Sequence, residues 1–219
     1  MQPTALIGDV HGDAARLRAA LSEVPTDRRI ILLGDYVDRG PDSRHVLDSL
    51  VEAKARLRER LVLLRGNHEV TLLEFLDGAA PQALVRHGGL PTVRSYVSEP
   101  EPRVFEQFRR DFPAAHRALL DSTVLFVDEP GLFASHAGWD PAEPSGRSVA
   151  QMTLGGGRAM FDPETARPPR GLAVFGHYTQ ASRLPYMTTS VICLDTGCGT
   201  APDAPLTLLL LPERVHRQL

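Results

Sequence analysis

Lysine is nearly missing from this chain: of 24 basic residues only Lys54 is a lysine, and no function follows from that bias. Cysteine is scarce. Cys193 and Cys198 are too few for a disulfide framework and fit a reducing, cytoplasmic setting. A basic excess is also lacking. The net charge of −3 argues against nucleic-acid binding through a broad basic surface and leaves only a local basic pocket open. Apolar runs are short: residues 208–211 fall far below the length that spans a bilayer, so no membrane partner is expected. The opening Met1-Gln2-Pro3-Thr4 has no basic stretch leading into an apolar core, so no signal peptide is expected. What remains is ordinary globular composition, 42% hydrophobic and 23% charged, which excludes disorder. A chain of 219 residues buries a core without staples, and one domain over 1–219 is expected. Nothing in the composition fixes an oligomeric state.

The first third alternates short apolar runs with helical patterns. Residues 4–7, 29–33 and 61–64 read as buried strands, each closed by glycine. Between them, 13–24 places Leu17, Ala20, Leu21 and Val24 on one helical face, with Asp13 as cap, and 43–57 repeats the pattern with Val46, Leu47, Leu50 and Val51. Residues 69–76 read as a short third helix. Residues 78–102 are rich in turn formers, and 101–120 reads as helix broken near Pro113, so about 78–120 is expected to form a helical cap or one side of a cleft. Residues 125–127 and 132–134 suggest paired strands, 140–170 reads as mostly loop, and 172–175, 191–194 and 206–211 as strands. The pattern alone gives a mixed α/β fold.

Polar clusters follow the strands directly: Gly8-Asp9-Val10-His11-Gly12, Gly34-Asp35-Tyr36-Val37-Asp38-Arg39-Gly40, Gly66-Asn67-His68-Glu69, Ser135-His136-Ala137-Gly138 and Gly176-His177. Strand C-termini are where open α/β sheets build sites. Pooled, the clusters offer Asp9, His11, Asp35, Asn67, His136 and His177, an oxygen and imidazole set suited to Mn²⁺, Fe²⁺ or Zn²⁺. Six ligands, one a carboxylate able to bridge, fit two ions rather than one.

In this order the clusters resemble the GDxHG, GDxxDRG and GNHE signature of the calcineurin-like metallophosphoesterases, most closely the phosphoprotein phosphatase branch with its small bacterial and phage serine/threonine phosphatases. Gly88-Gly89 with Thr92 and Ser95-Tyr96, and Asp195-Thr196-Gly197, extend the likeness to about Gly8–Gly197. The resemblance implies two mixed β-sheets packed as a sandwich flanked by helices. It implies two divalent ions, manganese favoured over iron or zinc, the first held by Asp9, His11 and Asp35, the second by Asp35, Asn67, His136 and His177. A hydroxide shared by the ions would attack a phosphomonoester. Arg39 would clamp the phosphate, helped by Asn67 and by Arg158, and His68 would protonate the leaving oxygen with Asp38 orienting it. The implied substrate is phosphoserine or phosphothreonine on protein, or a small phosphorylated compound. Hydrolysis of a dinucleoside polyphosphate such as diadenosine tetraphosphate is the alternative, against which Glu69 leans. A non-catalytic phosphate-binding module is the other. Gly155-Gly156-Gly157 and His87, where relatives often carry a bulkier stretch and an asparagine, depart from the family.

Outside the motifs the bland readings hold. Asp13 and Asp42 read as turn or cap residues. His45, His87, His116 and His216 read as surface or satisfied core histidines. Cys193 reads as a strand residue, and 53–60 as a solvated helix end. Cys198 has no assignable basic partner that would make it a nucleophile.

Overall fold

A computed structural model describes residues 2–162 and 166–219. β1 (Thr4–Ile7), α1 (Ala14–Glu23), β2 (Arg29–Leu32), α2 (Ser43–Leu57), β3 (Leu61–Leu63) and α3 (Asn67–Leu76) follow in the expected alternation. The Asp13 side chain caps α1 by accepting from Arg16 N at 2.9 Å. Asp42 precedes α2 in the cap position, but its carboxylate bonds the exposed His45 ring and caps no backbone N–H.

The turn-rich stretch holds two short helices whose bounds the composition did not give, α4 (Gln82–Arg86) and α5 (Leu90–Tyr96). Pro91 lies in the first turn of α5, where its missing N–H costs nothing. α6 (Val104–Asp111) and α7 (Ala114–Asp121) are the broken helix, parted at Pro113. β4 (Phe126–Glu129) and β5 (Leu132–Ser135) pair antiparallel. Within the region read as loop, Ser148 caps a helix, α8 (Val149–Leu154), and a 3-10 turn covers Gly157–Phe161. β6 (Ala173–Phe175), β7 (Tyr186–Met187), β8 (Val191–Cys193), β9 (Thr207–Leu211) and β10 (Val215–Gln218) are the remaining strands.

The strands form two five-stranded sheets, ordered β10-β9-β1-β2-β3 and β4-β5-β6-β8-β7. β1, β2 and β3 run parallel, as do β5, β6 and β8; the flanking strands are antiparallel. Side chains alternate along each strand, and the alternation builds the layers. Leu6, Ile31, Leu33, Leu64, Leu209 and Leu211 meet Leu132, Ala134, Leu172, Val174, Ile192 and Leu194 between the sheets. Ala5, Ile7, Ile30 and Leu32, one residue out of phase, face α1, α2 and α3 in a second core that also takes Leu84, Val93, Phe108 and Leu120 from the four helices of the middle segment. Phe133, Ala173, Phe175 and Cys193 pack outward on Trp139, Met152 and Met160. The result is the helix-flanked sandwich that the resemblance implied. No helix among the described residues is long and apolar enough to cross a membrane.

Candidate metal centre

Six parallel strands, three in each sheet, each deliver a polar residue just past the C-terminal end. Asp9 follows β1, Asp35 follows β2 and Asn67 follows β3; His136 follows β5, His177 follows β6 and Asp195 follows β8. Bonds across the sheets bring these ends together. His136 Nδ1 donates to the Leu33 carbonyl at 2.9 Å. His177 N donates to Asp9 Oδ2 at 3.0 Å, across 168 positions of sequence. The chain's single asparagine, Asn67, sets Oδ1 3.1 Å from His136 Nε2 and 3.0 Å from His177 Nδ1.

Asp35 lies at the middle. Its Oδ2 is 3.4 Å from His136 Nε2, 3.6 Å from His11 Nε2 and 3.7 Å from His68 Nε2. Two groups of ligand atoms fall within 4.8 Å of one another, His11 with Asp35 and His68, and Asp35 with His136 and His177, and Asp35 belongs to both. His11 Nδ1 faces the Val37 carbonyl at 3.0 Å, so it carries the hydrogen and Nε2 keeps its lone pair. His68 Nδ1 bonds Asp38 Oδ2 at 2.8 Å, and Thr92 Oγ1 donates to the other Asp38 oxygen at 2.6 Å. Arg39 is exposed, with Nη2 3.4 Å from His68 Nε2.

The backbone is forced into this arrangement. His11, Asp35, Asp38, Arg39 and His177 all have positive φ, between 43° and 71°. Each such residue costs about 1–3 kcal/mol, and such strain collects at functional sites. At Gly176 any side chain would collide with the cluster: a Cβ would stand 1.9 Å from Asp9 Oδ1.

Asp9, Asp35, Glu69 and Asp195 are all buried carboxylates. Burial and the neighbouring Asp195 hold Asp9 well above the usual carboxylate range. Burial works the same way on Asp35, but the imidazoles of His136 and His68 outweigh it and hold Asp35 well below that range. Burial would lower His136; Asp35 overrides it and raises the imidazole to about 10. Burial pushes His11 down to about 3, and burial with the nearby His136 pushes His177 down to about 4, so both stay neutral and able to ligate. Asp9 Oδ1 and His11 Nε2 are buried with no hydrogen-bond partner among the described residues. Two orphaned acceptors amid crowded carboxylates and neutral imidazoles are the donor set of a divalent cation site, and the residues fit such ions.

Three supporting residues lie outside the ligand and catalytic set expected from the sequence. Glu69 does not face the site. Its carboxylate accepts from Asp35 N at 2.7 Å, Gly66 N at 2.9 Å and Tyr36 N at 2.8 Å, tying the end of β2 to the start of α3. Its identity therefore concerns backbone support more than substrate. Thr92, on α5, anchors Asp38. Asp195 accepts from Thr179 Oγ1 at 2.7 Å and from Gly197 N at 2.9 Å beside Asp9; like Asp9 and Asp35, it is an aspartate just past a buried strand, which was the available signal. Arg158 stands apart from Arg39's contacts. It is exposed on the 3-10 turn and lines a cleft of about 590 Å³ with Phe161, Tyr178, Thr179, Gln180, Ala181 and Ser182. Cys193 and Cys198 are free and buried; burial pushes the Cys198 thiol up to about 12, so it is no nucleophile.

Comparison with known proteins agrees with this geometry. The family model for calcineurin-like phosphoesterases matches residues 2–177. A stretch covering 44% of the chain is 36% identical over 100 residues to a protein phosphatase 2A catalytic subunit of Dictyostelium discoideum. That stretch covers 31% of the relative, and the match to a Caenorhabditis elegans serine/threonine-phosphatase-like protein covers 24% of its length, so the chain matches under a third of either. In three dimensions the whole chain superposes on 93% of a structure provisionally described as a diadenosine tetraphosphatase, with TM-score 0.69 and 20% identity. It also superposes on 80% of a cold-active protein-tyrosine phosphatase from a Shewanella species, with TM-score 0.61 and 17% identity. At such identity these two structures speak to the fold alone.

Proposed function

This chain belongs to the calcineurin-like phosphoesterase family, and from that membership we propose that it is a metal-dependent phosphomonoester hydrolase acting on phosphoserine or phosphothreonine in proteins. The observation that carries the reading is Asp35, one carboxylate shared by two groups of imidazoles. Asp9, His11 and Asp35 would hold one divalent cation, and Asp35, Asn67, His136 and His177 a second, with manganese favoured over iron or zinc. When bound, the cations supply Lewis acidity toward the phosphate and activate a water as nucleophile.

The chain's own residues do the rest. Arg39 grips the phosphate oxygens in a forked geometry, and its position beside His68 sets the phosphoryl group next to the proton donor. Asn67 turns its oxygen to the imidazoles, which leaves its amide hydrogens for phosphate. His68 passes the Nε2 proton to the leaving oxygen while Asp38 holds Nδ1–H and favours the charged ring. Arg158 is a second phosphate clamp. Residues 78–120 form one side of the cleft within a single domain over 1–219, a reading supported by Thr92 at Asp38 and by the Gly88 carbonyl accepting from Arg39 N at 2.9 Å. Two free thiols suit a cytoplasmic setting.

One observation favours a second reading, hydrolysis of a dinucleoside polyphosphate: the cleft holding Arg158 has aromatic walls, Phe161 and Tyr178, and Tyr178 abuts His177 with ring centroids 4.9 Å apart. Release of inorganic phosphate from a phosphoserine peptide and of adenosine nucleotides (two ADP, or ATP with AMP) from diadenosine tetraphosphate, each measured on Mn²⁺-loaded protein, separates the two. We expect the peptide to be preferred. Preference for the nucleotide overturns the first reading, and binding without turnover of either replaces both with a binding module.

A further inference from the structure

His87 reads from sequence as a surface histidine, and it is exposed, in the loop between α4 and α5. Its surroundings are not those of a bystander. The imidazole ring lies 5.7 Å from the ring of His68. The carbonyl of the next residue, Gly88, accepts from Arg39 N at 2.9 Å, so the loop is fastened to the arginine assigned to phosphate. His87 Nδ1 lies 3.0 Å from Thr71 Oγ1. The Thr71 hydroxyl spends its hydrogen on the Asn67 carbonyl at 3.0 Å. Nδ1 must therefore be the donor in the Thr71 contact, and the Nδ1–H tautomer leaves Nε2 as an acceptor. No group among the described residues bonds it.

We propose that His87 is a specificity-determining residue that recognises the leaving group: its Nε2 accepts a hydrogen bond from an N–H close to the departing oxygen. This rests on the phosphatase reading above and narrows it. His68 delivers its proton to the leaving oxygen, so a ring 5.7 Å from His68 is within reach of the departing alcohol. In a phosphoserine or phosphothreonine peptide the main-chain N–H groups lie within a few bonds of the ester oxygen and supply the donor. In a dinucleoside polyphosphate the atoms equally close to the departing oxygen are anionic phosphate oxygens, which carry no hydrogen for an acceptor nitrogen to bond. The acceptor at His87 thus selects a peptide leaving group over a polyphosphate one.

The test compares three substrates on the Mn²⁺-loaded protein: a phosphoserine peptide, the same peptide N-methylated at the amides flanking the phosphoserine, and phenyl phosphate, whose alcohol bears no neighbouring donor. His87→Ala is expected to lower kcat/KM about tenfold on the first peptide, the loss of one hydrogen bond, and to leave phenyl phosphate within about twofold. The N-methylated peptide should lose nothing further in the variant. His87→Gln, which keeps an acceptor, should recover part of the loss. Calorimetric binding of a non-cleavable phosphonate peptide should weaken by the same factor, a reading independent of turnover. Equal losses on all three substrates, or no loss on any, overturn the role of His87 while leaving the phosphatase reading intact. Failure of the unsubstituted protein to hydrolyse any of the three defeats the phosphatase reading itself.

Discussion

His68 is a buried imidazole whose two nitrogens have different tasks. Burial opposes its charge, but Asp35 and Asp38 outweigh burial and raise it above the ordinary imidazole range, the direction a proton donor needs. His68→Ala is expected to lower kcat by about 10²- to 10⁴-fold while metal content, measured by inductively coupled plasma mass spectrometry, stays at the native level. Metal loss in step with activity would make His68 a ligand, which its place beside His11 and Asp35 also allows. Asp35→Asn removes the charge common to both groups and is expected to weaken both ions together in a calorimetric titration. Two tightly held ions in that variant would remove Asp35 from its bridging place.

At the scale of elements, the site depends on how β2 is joined to α3. Glu69 supplies three backbone N–H groups with one carboxylate, and its own pKa is raised to about 7, by burial first and the nearby Asp35 second. In Glu69→Gln the amide nitrogen brings hydrogens where acceptors are needed. That variant is expected to lose about 3 kcal/mol in urea denaturation and to bind metal weakly; an unchanged midpoint would show that the joint is unimportant. The strand-glycine-aspartate repeats of Gly8-Asp9 and Gly34-Asp35 made the site legible in the sequence, because parallel strands send their C-terminal loops to one edge. The hidden parts have physical reasons. α4 and α5 are short, and their helicity comes from packing Leu84 and Val93 on the core more than from periodicity. β10 is exposed along its whole length and carries no alternation to read. Glu69 sits within a motif whose neighbours face the site, and only coordinates show that it turns to the backbone instead.

For the molecule as a whole, the sandwich brings like charges together. Asp9, Asp35 and Asp195 stay close because two sheets bury their apolar faces against each other, and bound cations would relieve the resulting repulsion. Mn²⁺ at about 100 times its Kd is expected to stabilise the fold by about 2.7 kcal/mol, and a chelator to reverse the gain in the same thermal melt. The metal-free protein should also depend on pH through His136. Its folded-state pKa, raised to about 10, exceeds the unfolded value, so its contribution to stability is complete below about pH 6.5 and fades as pH rises toward 10. A cation taking His136 as ligand must displace that proton. Titrations in buffers of different ionisation enthalpy should therefore show proton release near neutral pH and tighter binding as pH rises; a pH-independent affinity would contradict the pairing of His136 with Asp35.

The most direct measurement is anomalous X-ray diffraction from crystals soaked in Mn²⁺. Two peaks are expected to flank the Asp35 carboxylate, one beside His11 and Asp9, the other beside His136, His177 and Asn67. A single peak, or ions bound away from Asp35, would contradict the bridging role of Asp35.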